Sequence, residues 1–337
     1  MSKRIVMFGE LLLRLNPEGF GRLVQADRLQ VYYTGGEANA GAALVHWGRE
    51  VSLVSRVPDH EIGQACLNYM RRYGLDTRFI QRGGDRLGLF YLETGASQRQ
   101  SKIIYDRRDS AFTGYSDEAG GWDEVLAGAG WFHFAGTAVA VAGRLAPVVA
   151  RACRAARERG LVVSCDLNYR RKLWTPAQAG ETMRELLPLV DAFVCGVEDA
   201  GAIFGATIDP GRPGSEQAVD VARQLAARFG LKHVVVPLRD SQSATANRFR
   251  ALLFSQGQIA VSRTYEIPYI VDRVGAGDAL TAGVIFGLLE GWEPQRTIEF
   301  GVAAACLKHS VPGDFNLVSR EEVEALVAGD GAGRIQR

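Results

Sequence analysis

The stretch Asp272–Gly283, DRVGAGDALTAG, joins a glycine elbow to an apolar, helix-like run. The first N–H groups of a helix lack partners and carry partial positive charge, so an elbow of Gly275, Ala276 and Gly277 can seat an anion. Asp278 stands inside that elbow, where a carboxylate should repel phosphate. Attack of a hydroxyl on a phosphoryl group needs both features. The N–H groups hold the phosphoryl oxygens, and the carboxylate takes the hydroxyl proton. A capped helix with an acid in its first turn is the plainer alternative. The elbow is not a Walker A loop, because no Lys-Ser or Lys-Thr follows it, and its third glycine is misplaced for G-x-G-x-x-G.

Such a site needs a rigid frame. Short apolar runs (RIVMFGE, EVSLVSRV, GWFHFAG, GLVVSCDLN, DAFVCG, HVVVPLRD) alternate with helical patterns at Ala38–Trp47, Ile62–Tyr73, Leu145–Arg159, Ala218–Phe229 and Ala279–Glu290. Continuous apolar strands separated by helices predict a parallel sheet covered on both faces, with ligands beyond the strands' carboxyl ends. Leu87–Asp106 alternates instead around a polar turn and predicts a hairpin outside the main sheet. With the irregular segment Leu12–Thr34 it forms a small β lid over the open end. One α/β domain is expected over residues 1–337, with the lid contributed by about 12–34 and 87–110. The tail AGDGAGRIQR is expected to fray.

Composition narrows the classes of function. Lys and Arg number 39 against 38 Asp and Glu, a net charge of +1 over 337 residues. That balance argues against a general nucleic-acid or anionic-membrane surface. No apolar run is long enough for a transmembrane helix. The N-terminus lacks the long apolar region and small-residue cleavage site of a signal peptide. The five cysteines are scattered without a C-x-x-C pair, as expected of free thiols in a reducing cytoplasm. The histidines have no paired ligand spacing, which argues against structural zinc.

Two signatures, GGEANAGAALVHWG at Gly35–Gly48 and DRVGAGDALTAGVIFGLL at Asp272–Leu289, resemble those of the ribokinase-like (PfkB) carbohydrate kinases. The resemblance covers essentially the whole chain. It implies a doubly wound, mostly parallel α/β sheet flanked by helices, with a small β lid. It also implies that Asp278 deprotonates a sugar hydroxyl beside an anion hole of Gly275, Ala276 and Gly277. Within the family, FGELLLRLNP, GLFYLE, IIYDRRDSAF, DLNYRRKLW and LKHSVPGDFNLVS look like segments of 2-keto-3-deoxygluconate kinases. The implied partners are a sugar acid, ATP and Mg²⁺. Kinases of neutral sugars such as fructose or ribose, or a catalytically silent sugar- or nucleotide-binding regulator on this fold, are the alternatives.

A guanidinium fork suits a substrate carboxylate. Arg170 follows the strand VVSCDLN and Arg107 follows the lid hairpin; the alternative for each is a solvated surface arginine. The resemblance adds Tyr91 and Tyr105, otherwise ordinary hairpin aromatics, to the sugar site. Gly36 and Asn39 of the first signature are expected at sugar hydroxyls, although Asn39 could equally cap a helix. Asp314 in VPGDFN is expected to reach the substrate, or else to serve a turn. Arg239 is expected at the nucleotide phosphates, and Lys308 and His309 on the adenine side or at the surface. The family's N-x-x-E motif, which positions magnesium through water, reads CGVE here: Glu198 remains but Cys195 replaces the Asn. Open lid edges favour homo-oligomers formed through the lid.

Overall fold

The computed structural model describes residues 4–118 and 121–330. The tail expected to fray lies largely outside them. The strands in chain order are β1 (Arg4–Phe8), β2 (Leu12–Asn16), β3 (Gln30–Thr34), β4 (Val51–Val57), β5 (Asp76–Arg82), β6 (Gly88–Glu93) and β7 (Lys102–Asp106). They continue as β8 (Ala129–Ala135), β9 (Val162–Asp166), β10 (Ala192–Val194), β11 (His233–Ser241), β12 (Asn247–Ser255), β13 (Gln258–Val261) and β14 (Tyr265–Ile267).

The main sheet has the order β13-β12-β11-β10-β9-β8-β1-β4-β5, with β14 also on β12. From β11 to β5 every neighbouring pair is parallel. All six apolar runs read as strands lie in this parallel part. The parallel edge strand β5 and the antiparallel edge of β12, β13 and β14 are the parts the alternation does not announce.

The frame follows from burial on both faces. In β1, Ile5 and Met7 enter one core while Val6 and Phe8 enter the other. Phe8 packs edge-on against Tyr115 and Trp122. On the opposite face lie helices Gly36–His46, Ala276–Leu289 and Pro294–Lys308. Helix Ala276–Leu289 is buried on nearly every side, from Ala279 to Gly287, as expected of a helix without a polar face. The chain leaves β1 toward β4 on one side and returns to β8 on the other. The crevice beyond the carboxyl ends at this reversal is where such sheets bind ligands.

The lid is a separate sheet of order β3-β2-β6-β7. β2 pairs with β3, and β6 with β7, as antiparallel partners, and the two hairpins join through parallel β2 and β6. The expected hairpin is therefore present, and the irregular segment supplies its partner strands. Strand alternation divides the sheet into two faces. Leu12, Arg14, Phe90 and Tyr105 face the body, while Leu13, Leu15, Val31, Tyr91 and Ile104 share the other face. Arg14 ties the lid to the body through buried ion pairs to Asp272 Oδ2, at 2.8 Å, and to Asp314 Oδ1.

Candidate active site

A cleft of about 670 Å³ lies between lid and sheet. Its floor is the elbow. Gly275 caps helix Ala276–Leu289 with φ of 84°, in the left-handed region. A Cβ there would stand 2.0 Å from the Asp314 carbonyl oxygen, so glycine is required on two counts. Gly277, in contrast, meets nothing within 4 Å and faces open cleft. The positive φ of the elbow belongs to Gly275, and Gly277 is needed for the space above it.

Asp278 lines the cleft in the first turn of that helix. Its Oδ2 accepts a 2.7 Å hydrogen bond from the Asn39 side-chain amide. The Thr34 hydroxyl donates to Asn39 Oδ1 at 2.9 Å and so fixes which way the amide points. Asn39 is therefore an orienting partner of the acid. Burial lifts the Asp278 pKa to about 7, the Asn39 bond opposes the rise, and the nearby Asp166 charge adds to it. A base poised near neutral pH is matched to proton abstraction. Gly36 lets the backbone approach: a Cβ there would lie 3.6 Å from Asp278 Oδ1.

Other carboxyl groups surround the base. Asp166, at the end of β9, accepts from the Asn168 backbone N–H at 2.9 Å and from the Thr281 hydroxyl at 3.3 Å. Burial raises its pKa to about 6. Glu37 is buried, accepts from the Ala135 N–H at 2.9 Å, and is pushed by that burial to about 8. Burial thus favours the neutral form of the Glu37 carboxyl.

Besides Arg107, three guanidinium-bearing residues line the cleft, Arg170, Arg239 and Arg273, and the Arg170 charge favours the ionised forms of Asp166, Asp199 and Asp278. Arg170 donates to the Tyr169 carbonyl and, among the described residues, has no carboxylate within ion-pair distance. Arg273 donates to the carbonyl of Ala244 at 3.2 Å. Arg239 lies over the Phe249 ring. Unpaired cations converging on a cleft suit a polyanion such as a triphosphate or a carboxylate.

The remaining expected residues divide. Tyr105 and Asp314 reach the cleft. Asp314 spends Oδ1 on Arg14, and its buried Oδ2 has no partner among the described residues. Arg107 also lines the cleft, but it is bound by the Glu10 carboxylate, with Nε to Oε2 at 2.9 Å. Its charge is thus matched within the protein.

Tyr91, Glu198 and His309 are not among the residues lining the cleft. Tyr91 sits one residue out of phase with Phe90, which takes the inward place on β6. Glu198 is exposed, and its neighbour Asp199 lines the cleft instead. His309 is 1% exposed, neither at the surface nor at the cleft. Its Nδ1 is 2.7 Å from the Ala305 carbonyl, and burial drops its pKa to about 4. Lys308, fully buried, is likewise neither on the cleft lining nor at the surface. Arg273, Asp166, Asp199 and Phe90 line the cleft without having been singled out from sequence. Arg273 lies inside the quoted elbow signature and Asp166 opens DLNYRR, so a signal was present for both.

The donor set offers a hard cation two carboxylates whose charges interact. Asp166 and Asp199 both line the cleft, and burial raises the pKa of each. Among the described residues no cluster of three or more potential ligands exists. Two carboxylates completed by phosphate oxygens and water are what Mg²⁺ commonly uses.

Residues 2–319 match the model of the pfkB family carbohydrate kinases. The crystal structure of a 2-dehydro-3-deoxygluconokinase from Thermotoga maritima superposes with a TM-score of 0.93 at 40% identity, covering 97% of this chain and 100% of that one. A 2-dehydro-3-deoxygalactonokinase from Haloferax volcanii is 29% identical over 333 residues, 99% of each chain. A 2-dehydro-3-deoxygluconokinase from Bacillus subtilis is 24% identical, over 97% of this chain and 96% of that protein. With its GAGD elbow, its oriented acid and its lid, this chain belongs to the pfkB family of carbohydrate kinases.

Proposed function

We propose that the chain transfers the γ-phosphoryl group of ATP to the terminal hydroxyl of 2-keto-3-deoxygluconate, giving the 6-phosphate and ADP. The observation that carries this is the unpaired Arg170 in the same cleft as the oriented Asp278. The relatives named for 2-dehydro-3-deoxygluconate, the same sugar acid, and for 2-dehydro-3-deoxygalactonate support an acid substrate. Asp278 takes the hydroxyl proton as the oxygen bonds to phosphorus and the bond to the ADP oxygen breaks. The Gly275–Gly277 amides receive the charge on the phosphoryl oxygens. Arg239 and Arg273 face the nucleotide phosphates. Asp166 and Asp199 would hold a Mg²⁺ ion, which would supply charge neutralisation at the phosphates. Lid closure excludes water and limits ATP hydrolysis.

Arg170→Ala is the test of the acid substrate. Hydrogen bonds to charged groups contribute about 1.5–3 kcal/mol, so kcat/KM for the sugar acid should fall about ten- to a hundredfold. Arg170→Lys keeps the charge, loses the fork and should fall between. Against fructose or ribose the loss should be much smaller. Equal losses on acid and neutral sugars would make Arg170 structural or phosphate-facing and favour a neutral-sugar kinase.

We further infer that two copies pair through the outer faces of their lids. Val31, Leu15, Tyr91 and Ile104 form one cross-strand row there, with Val31 and Ile104 52% and 55% exposed. A contiguous apolar face of this kind marks an interaction surface. Ile104→Lys should turn a dimer into a monomer in light scattering, with the isolated fold unchanged. A monomeric wild type, or a variant still dimeric, contradicts this. The cysteines are free thiols, four of them buried, which supports a cytoplasmic location.

A further inference from the structure

Lys308 ends helix Pro294–Lys308 directly behind the elbow, and its side chain is 0% exposed. Its Nζ donates to the Val311 carbonyl at 2.9 Å and to the Asp272 carbonyl at 3.4 Å. Those carbonyls belong to two separate segments that build the elbow. Asp272 precedes Gly275 by three residues. Val311 opens the loop whose Asp314 carbonyl limits Gly275 to glycine. The lysine stem lies against the same glycine: a Cβ on Gly275 would be 3.3 Å from Lys308 Cε. The Asp272 carboxylate completes the junction, accepting from the Val274 N–H at 3.0 Å and the Gly313 N–H at 3.1 Å. Arg14, Asp272 and Asp314 are the other charges facing the ammonium, and Asp278 lies beyond them.

Burying a lysine charge is costly unless it is paired and hydrogen-bonded; burial lowers the pKa of Lys308, and the Asp272 and Asp314 charges oppose that fall. No carboxylate pairs directly with this one among the described residues, and its bonds go to carbonyl dipoles. We propose that Lys308 is a positioning residue for phosphoryl transfer, a tethered cation that clamps the Asp272 and Val311 carbonyls and so holds the Gly275–Gly277 amides over the transferred group. The inference rests on the elbow being the phosphoryl site. It assigns a catalytic purpose to a residue that touches neither substrate.

The test compares Lys308→Met, which keeps length and removes charge, with Lys308→Ala, which also opens room for a small cation. Both should lower kcat about ten- to a hundredfold, less than outright loss of an oxyanion-hole donor because the amides are displaced and not removed, with KM for the sugar acid nearly unchanged. Ammonium or propylammonium chloride should restore Lys308→Ala saturably. Tetramethylammonium at equal ionic strength should not, and Lys308→Met should respond to none of them. Wild-type kcat should be indifferent to added ammonium, because its cation is already in place. Near-normal kcat in folded Lys308→Met would overturn the proposal, whether or not the Ala variant folds. So would a deficit in folded Lys308→Ala that ammonium leaves untouched. Asp278→Asn is run alongside. If it is nearly as active as wild type, the elbow reading itself fails. If it is inactive while Lys308→Met is normal, only the role of Lys308 falls.

Discussion

Asp278→Asn should lower turnover by about a hundredfold or more while leaving nucleotide binding intact. The substitution keeps side-chain size and removes the proton acceptor; general-base loss is typically of this magnitude. The amides of the elbow are backbone groups and remain. The pH dependence provides a second check. The base works deprotonated, and burial sets its pKa at about 7. Wild-type kcat/KM should therefore fall as pH drops through about 7, and the Asn variant should lose that limb. Stopped ADP release and equilibrium nucleotide titration measure the two halves. A folded variant turning over at near the wild-type rate would remove Asp278 as the base.

Gly277→Val should abolish most ATP use without unfolding the protein. Nothing lies within 4 Å of a Cβ at this position, so the protein itself does not oppose the side chain. What it would meet is the phosphoryl group above the elbow. kcat/KM for ATP should fall by about a hundredfold, comparable to losing one oxyanion-hole donor. Binding of the sugar acid should change far less, and stability should stay within about 0.5 kcal/mol, as for open surface positions. Unchanged ATP kinetics would mean that the phosphoryl group is held elsewhere. Gly275 is the opposite case, since its φ of 84° and its contact with Asp314 make it a requirement of the fold itself.

The elbow was legible because its chemistry is contiguous: glycines, acid and helix occupy neighbouring positions. The parallel strands were legible for a similar reason, since burial on both faces writes itself as an unbroken apolar run. What stayed hidden depends on contacts between distant residues. Arg107 reads as a free guanidinium until the fold brings Glu10 to it from 97 positions away. Nothing in the segment Leu12–Thr34 marks Arg14, yet it ends in a buried pair with Asp314. In the lid, alternation separates Phe90 from Tyr91 but does not say which face turns inward. Strand β12 escapes for another reason, although it is held on both sides, by β11 on one and by β13 and β14 on the other. Its polar start, Asn247 and Arg248, resembles a loop, and pairing with β11 and β14 makes it a strand.

The central claim is a single cleft that reads a carboxylate and phosphorylates a hydroxyl. Coupled ADP release by the purified chain, with ATP and Mg²⁺, across sugar acids and neutral sugars tests it most directly. The panel should hold 2-keto-3-deoxygluconate, its galactonate epimer, fructose and ribose. A 2-keto-3-deoxy sugar acid should lead in kcat/KM by about tenfold or more over either neutral sugar, the least that one charge-assisted contact provides. A neutral sugar matching or exceeding the acids, or no sugar-dependent ADP at all, would contradict it.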